Sequence, residues 1–74
     1  MESAPKEFRD KLEAIFDSFS VNDLEDVINK SSELRIEFPE FVESFYTLGV
    51  ASLALGDASK AIRFMSEGIK QSPN

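Results

Sequence analysis

The chain has 74 residues, 42% of them hydrophobic and 30% charged, with no cysteine and no histidine; eight basic residues against fourteen acidic ones give a net charge of -6. This length holds one domain that buries only about 60% of its unfolded surface. The charge has the wrong sign for a surface that must neutralise phosphates, so nucleic acid is disfavoured as a partner.

Other exclusions follow from residue types. Without cysteine there is neither a disulfide framework nor a thiolate metal site, and a reducing compartment, the cytoplasm, fits best. Without histidine the commonest general base and metal ligand is missing, and no glycine-rich phosphate loop, GxSxG or HExxH spacing is present, so no catalysis and no cofactor is expected. No apolar run reaches membrane-spanning length, and the N-terminus lacks the apolar stretch of a signal peptide, so no membrane insertion is expected.

Four segments carry apolar residues at helical spacing, which predicts an all-α protein. The first, about residues 5–19, has Pro5 near its first turn and shows Phe8, Leu12, Ile15, Phe16 and Phe19 on one stripe. The second, about 22–36, opens after Ser20 or Asn22 as cap and places Asp23, Glu25 and Asp26 at the positive end of the helix dipole. It carries Leu24, Val27, Ile28 and Leu34, and Phe38–Pro39 ends it. The third, about 40–55, is apolar nearly all round, from Phe41, Val42, Phe45 and Tyr46 to Leu53 and Leu55, and so is expected to be buried on several sides. Gly56 then supplies a left-handed residue and Asp57 caps the fourth helix, about 58–71, with Pro73 beyond its end. Short links between such helices make antiparallel hairpins. Glu7–Lys11, Arg9–Glu13 and Asp26–Lys30 are predicted helix-surface pairs four residues apart, each contributing a few tenths of a kcal/mol.

Pro39 and Pro73 lie 34 residues apart, which brings the ends of two hairpins into register. From Phe45 the chain reads Phe45, Leu48, Gly49, Ser52, Ala61, Met65 and Pro73, which resembles the tetratricopeptide pattern of Trp, Leu-Gly, Tyr, Ala, Phe and Pro. Leu48, Gly49, Ala61 and Pro73 match outright, while Ser52 departs from the tyrosine. The resemblance covers residues 40–74 well and 6–39 by length and pattern only, which divides the chain into a divergent first repeat, 5–39, and a second, 40–74. A straight shift of 34 puts Lys11, Ala14, Ile15, Ser18, Val27 and Ser31 at the signature places. Sliding the first helix by one residue instead brings in Leu12, Ile15, Phe16 and Phe19, as though a residue were missing near Val21–Asn22. With bulky Phe16 then at the glycine place, helices one and two are expected to sit further apart, or at another angle, than three and four, as in an atypical end repeat.

The resemblance implies two hairpins stacked as a short right-handed solenoid, a non-catalytic scaffold, adaptor or oligomerisation module that binds a peptide or helix of a partner protein. It implies hairpin packing by Phe45, Leu48, Gly49 and Ala61, with Gly49 and Ala61 small enough for close approach. It implies a partner-binding groove on the inner helices formed by Leu12, Phe16, Glu43, Tyr46, Thr47 and Val50, with Glu13, Phe19 and Ala54 beside it. Leu12, Phe16 and Thr47 stand where the family's carboxylate-clamp residues would be, so an apolar or basic helical segment suits the groove better than an anionic tail. The same pattern also allows a closed four-helix bundle with one central core, or the N-terminal regulatory portion of a larger enzyme.

The fourth helix carries two stripes, one of Ala58, Ile62, Met65 and Ile69 and one of Ala61, Phe64 and Gly68. A single hairpin partner cannot cover both. Leaving Ile62, Met65 and Ile69 in water would forgo on the order of 5–9 kcal/mol. The chain is therefore expected to be a homo-oligomer through Ala58, Ile62, Met65 and Ile69, or an excerpt of a longer repeat array.

Overall fold

A computed structural model of the chain describes residues 5–71. These residues are all-α: helices α1 (Lys6–Ser20), α2 (Leu24–Glu37), α3 (Glu43–Ala54) and α4 (Ala58–Gln71), with no strand among them. No helix is long and apolar enough to cross a membrane. Pro73 lies outside the described residues.

Each helix packs on its neighbour in sequence, α1 on α2, α2 on α3 and α3 on α4; α1 also touches α3, while the backbones of α1 and α4 do not approach each other. The shortest dimension is 17 Å, room for two layers of helices at the usual spacing. The main core lies in the first half, where Phe8, Ile15, Val27 and Leu34 are buried together with Ala51 from α3. Leu12, Phe19, Leu24, Ile28, Phe38 and Phe41 pack around them.

Most helix boundaries have local causes. α2 is capped by Asp23, whose carboxylate accepts from the Asp26 amide, and not by Ser20 or Asn22. The Ser20 hydroxyl donates back to the Asp17 carbonyl, and Asn22 is spent on a left-handed conformation at φ 61°. α3 starts three residues later than expected because Phe41 and Val42 belong to the preceding loop. There the Phe41 ring packs on Phe8, with centroids 4.5 Å apart, while Phe38 meets Phe8 edge-on at 5.5 Å. Burial of that aromatic group outweighs another half-turn of helix. α4 is capped as expected, the Lys60 amide donating to Asp57.

The two hairpin turns repeat each other residue by residue. At the end of α1 the Asp23 amide donates to the Ser18 carbonyl and the Asn22 amide to Phe19; at the end of α3 the Asp57 amide donates to Ser52 and the Gly56 amide to Leu53, all at 2.9 Å. Both are Schellman endings around a left-handed residue, Asn22 at φ 61° and Gly56 at φ 90°. Asp23 and Asp57 then cap the next helix in the same way. Every paired position is 34 residues apart. The straight register therefore holds, and the one-residue slide is corrected: no residue is missing near Val21–Asn22. Ile15 corresponds to Gly49 and is fully buried, whereas Phe16 corresponds to Val50 and is 53% exposed.

Residue size differs between the matched hairpins. Ile15, Val27 and Leu34 fill the first where Gly49, Ala61 and Gly68 stand in the second, and all six are buried. A Cβ on Gly49 would come within 2.7 Å of Met65 Cγ and 3.4 Å of the Ala61 carbonyl oxygen. What Gly49 loses in helix propensity, about 1 kcal/mol, is exchanged for the seating of Met65. Gly68 repeats this from the other helix: a Cβ there would meet Tyr46 Cε1 at 3.0 Å and Phe45 Cβ at 3.1 Å.

A bonded set of polar side chains closes the first hairpin and does not form among the described residues of the second. The Ser18 hydroxyl, buried in α1, contacts the Asp26 carboxylate at 2.6 Å, and Lys30 donates to Ser18 and pairs with Asp26 at 2.7 Å. Hydrogen bonds from Lys30 and then Ser18 hold the Asp26 carboxyl below the usual carboxylate range. The equivalent set in the second hairpin is Ser52, Lys60 and Phe64, and the buried Ser52 hydroxyl has no partner among the described residues. Ser52→Ala should raise stability by about 1 kcal/mol, the desolvation cost of an unpaired hydroxyl, read as a higher urea midpoint. Of the surface pairs, Glu7–Lys11 forms at 3.5 Å, with Lys11 also bridging to Glu37 on α2. Arg9–Glu13 does not form among the described residues; Lys6–Asp10 pairs instead, at 3.0 Å.

Candidate functional site

A groove of about 420 Å³ opens between α1 and α3, lined by Phe16, Phe19, Glu43, Tyr46, Thr47 and Val50. Helical spacing puts it there. Phe16 and Phe19 lie three apart on α1, and Glu43, Tyr46, Thr47 and Val50 lie at offsets of three, four and seven on α3. Because α1 and α3 each pack most closely on α2 or α4, they touch each other little, and a furrow remains along their shared outer face.

The walls are apolar and their side chains reach solvent. Phe16 is 53% exposed, Val50 47% and Tyr46 37%. Thr47 forms the floor: buried, it donates to the Ser44 carbonyl at 3.0 Å and contacts the Ser31 hydroxyl of α2 at 2.6 Å. With Thr47 donating to the carbonyl, the Ser31 hydroxyl must be the donor between the two. That pair fixes α3 on α2 and leaves no spare donor at the floor. Glu43, exposed in the first turn of α3, gives the rim a negative charge. Tyr46 packs part of its ring against Gly68 of α4, which holds it in place from behind.

The expected groove residues thus separate. Phe16, Glu43, Tyr46, Thr47 and Val50 line the furrow together with Phe19. Leu12 is half-buried against the core, while Glu13 and Ala54 are exposed and outside the lining. The hairpin-packing residues Phe45, Leu48, Gly49 and Ala61 are all buried. On α4, Ala58, Ile62 and Ile69 are exposed, but Met65 is half-buried, its side chain over Gly49. Gly68 had a readable signal, a second small residue seven positions after Ala61 on the same helix face. The stacking of Arg35, which lies 5.7 Å over the Phe45 ring and 5.8 Å over Phe64, had none.

No protein-family model matches the chain, and neither a curated protein nor a solved structure matches it. The residues and their geometry therefore carry the functional reading.

Proposed function

We propose that the protein is a non-catalytic interaction module of two tetratricopeptide-like repeats, 5–39 and 40–74, and that the α1–α3 groove binds an apolar helical or extended segment of a partner protein. The observation that carries the reading is the groove itself. Aromatic and aliphatic side chains from two different helices are held half in water around one furrow, where burying them in a monomer's own core would be the default.

Its chemistry narrows the partner. An apolar furrow with Glu43 at its edge, in a chain of net charge -6, favours an apolar segment flanked by lysine or arginine over an anionic one. For the stacked arrangement over the closed bundle, two features give support: the matched Schellman turns, and the absence, among the described residues, of any close approach of α1 to α4, which a closed bundle would bring side by side.

The test is titration of the ¹⁵N-labelled chain with a synthetic peptide of leucine and phenylalanine anchors flanked by lysines. The expected result is chemical-shift change centred on Phe16, Tyr46 and Val50, with Val50→Asp weakening binding at least tenfold at unchanged helicity. Shifts elsewhere, or no loss with Val50→Asp, would overturn the groove assignment.

A further inference from the structure

The 34-residue register lets the first hairpin show what the second one lacks. In the first hairpin Ser31 is buried and bonded to Thr47 of α3, Arg35 lies over Phe45 of α3, and Phe19 and Ile28 are half-buried. The equivalents of Phe19, Ile28 and Arg35 are Leu53, Ile62 and Ile69, which are 56, 66 and 65% exposed. The counterpart of Ser31 is Met65, half-buried over Gly49; beside it, the surface that α3 helps to cover on the first hairpin is more apolar on the second, and bare at Leu53, Ile62 and Ile69.

We infer that this bare side of α4, with Leu53, is a docking surface for an amphipathic helix of a partner protein, one with small and apolar residues on its contact face and acidic residues on its flanks. The template for the contact face is α3, whose buried run is Ser44, Thr47, Leu48 and Ala51, at offsets of three, four and seven. A second copy does not supply such a helix end to end, and two α4 faces laid together would bring cation against cation. The matching run on α1 is Asp10, Glu13, Ala14 and Asp17, which would place carboxylates where Thr47 and the fully buried Ala51 sit, unpaired against isoleucine. That acidic face stops the chain from adding copies of itself end to end. The flank chemistry follows from charge. α4 carries Lys60, Arg63 and Lys70 against a single carboxylate, Glu67, and is cationic in an otherwise acidic protein. This surface is separate from the groove, so the chain has two faces of opposite charge preference.

The experiment uses two synthetic helical peptides with leucine and alanine at the α3 spacing, one flanked by glutamate and one by lysine, titrated by fluorescence anisotropy alongside sedimentation of the free chain. The expected result is a monomeric chain that binds the glutamate peptide at least tenfold more tightly than its lysine twin, with the preference shrinking as salt rises. Ile62→Asp or Ile69→Asp should weaken that binding at least tenfold and Val50→Asp should leave it unchanged. The surface double variant Arg63→Glu, Lys70→Glu should remove the preference. A chain that sediments as a dimer dissociated by Ile69→Asp would overturn the inference in favour of a second copy. Equal affinity for both peptides, no binding, or loss with Val50→Asp would overturn it as well.

Discussion

Valine in place of Gly49 should destabilise the protein by about 2 kcal/mol, the cost of forcing added methyl groups into a filled contact. Its Cβ would lie 2.7 Å from Met65 Cγ, a mid-chain atom that cannot swing aside as a side-chain end would. The Ala61 carbonyl oxygen, 3.4 Å from the same point, stays in ordinary contact with the added Cβ, so the strain falls on Met65 and on the two further methyl groups of valine. Valine is a somewhat better helix former than glycine, so the loss is measured against a small gain in propensity. A domain of this length has about 4–11 kcal/mol in total, and a loss of this size is a large share of it. Urea unfolding followed by far-ultraviolet circular dichroism measures it. Met65→Ala should recover part of the loss, because it removes the group that the introduced valine would strike, and a double-mutant cycle should give a coupling of about 1 kcal/mol. Independent, additive effects would mean that Gly49 is not a contact point between α3 and α4.

The largest single loss is expected at the matching position of the first hairpin and by the opposite chemistry. Ile15→Ala should cost about 3 kcal/mol, since a fully buried side chain among Phe8, Val27, Leu34 and Ala51 is replaced by a cavity. Phe16→Ala, one residue along, should cost less than about 1 kcal/mol, because more than half of that ring is already in water. The contrast also reads the register. Were Phe16 the counterpart of Gly49, it would sit at the helix crossing and its truncation would be the costly one. Equal losses at the two positions would contradict the straight 34-residue correspondence.

The same pair of positions marks the boundary of what sequence reasoning reaches. Four helices, their order, the stop at Phe38, the left-handed Gly56 and the Asp57 cap were all legible, because each depends on side chains within a turn or two of one another. The smallness of Gly49 and Ala61 was legible as a reason for close approach, and both residues are buried, on α3 and α4. The groove was legible in part: helical spacing collects Glu43, Tyr46, Thr47 and Val50 on one side of α3 whatever else the chain does.

Periodicity could not decide which of two adjacent apolar residues on α1 faces the core. Ile15 and Phe16 are equally hydrophobic in a stripe, and a rotation of the helix by one residue exchanges them. The correspondence is visible in the turn that follows, where Asn22 takes the left-handed place of Gly56 and so aligns Ile15, not Phe16, with Gly49. Asparagine tolerates that conformation without advertising it as glycine does. The fate of Phe41 was likewise a tertiary matter. Its ring belongs equally well on a helix stripe or in a loop, and the presence of Phe8 across the fold decides for the loop. Local chemistry thus determined which segments are helices and where most of them stop. Only the packing of helices against one another determined which face of α1 is buried, which side of α4 is left bare, and that residues 30 apart, Phe16 and Tyr46, share one furrow.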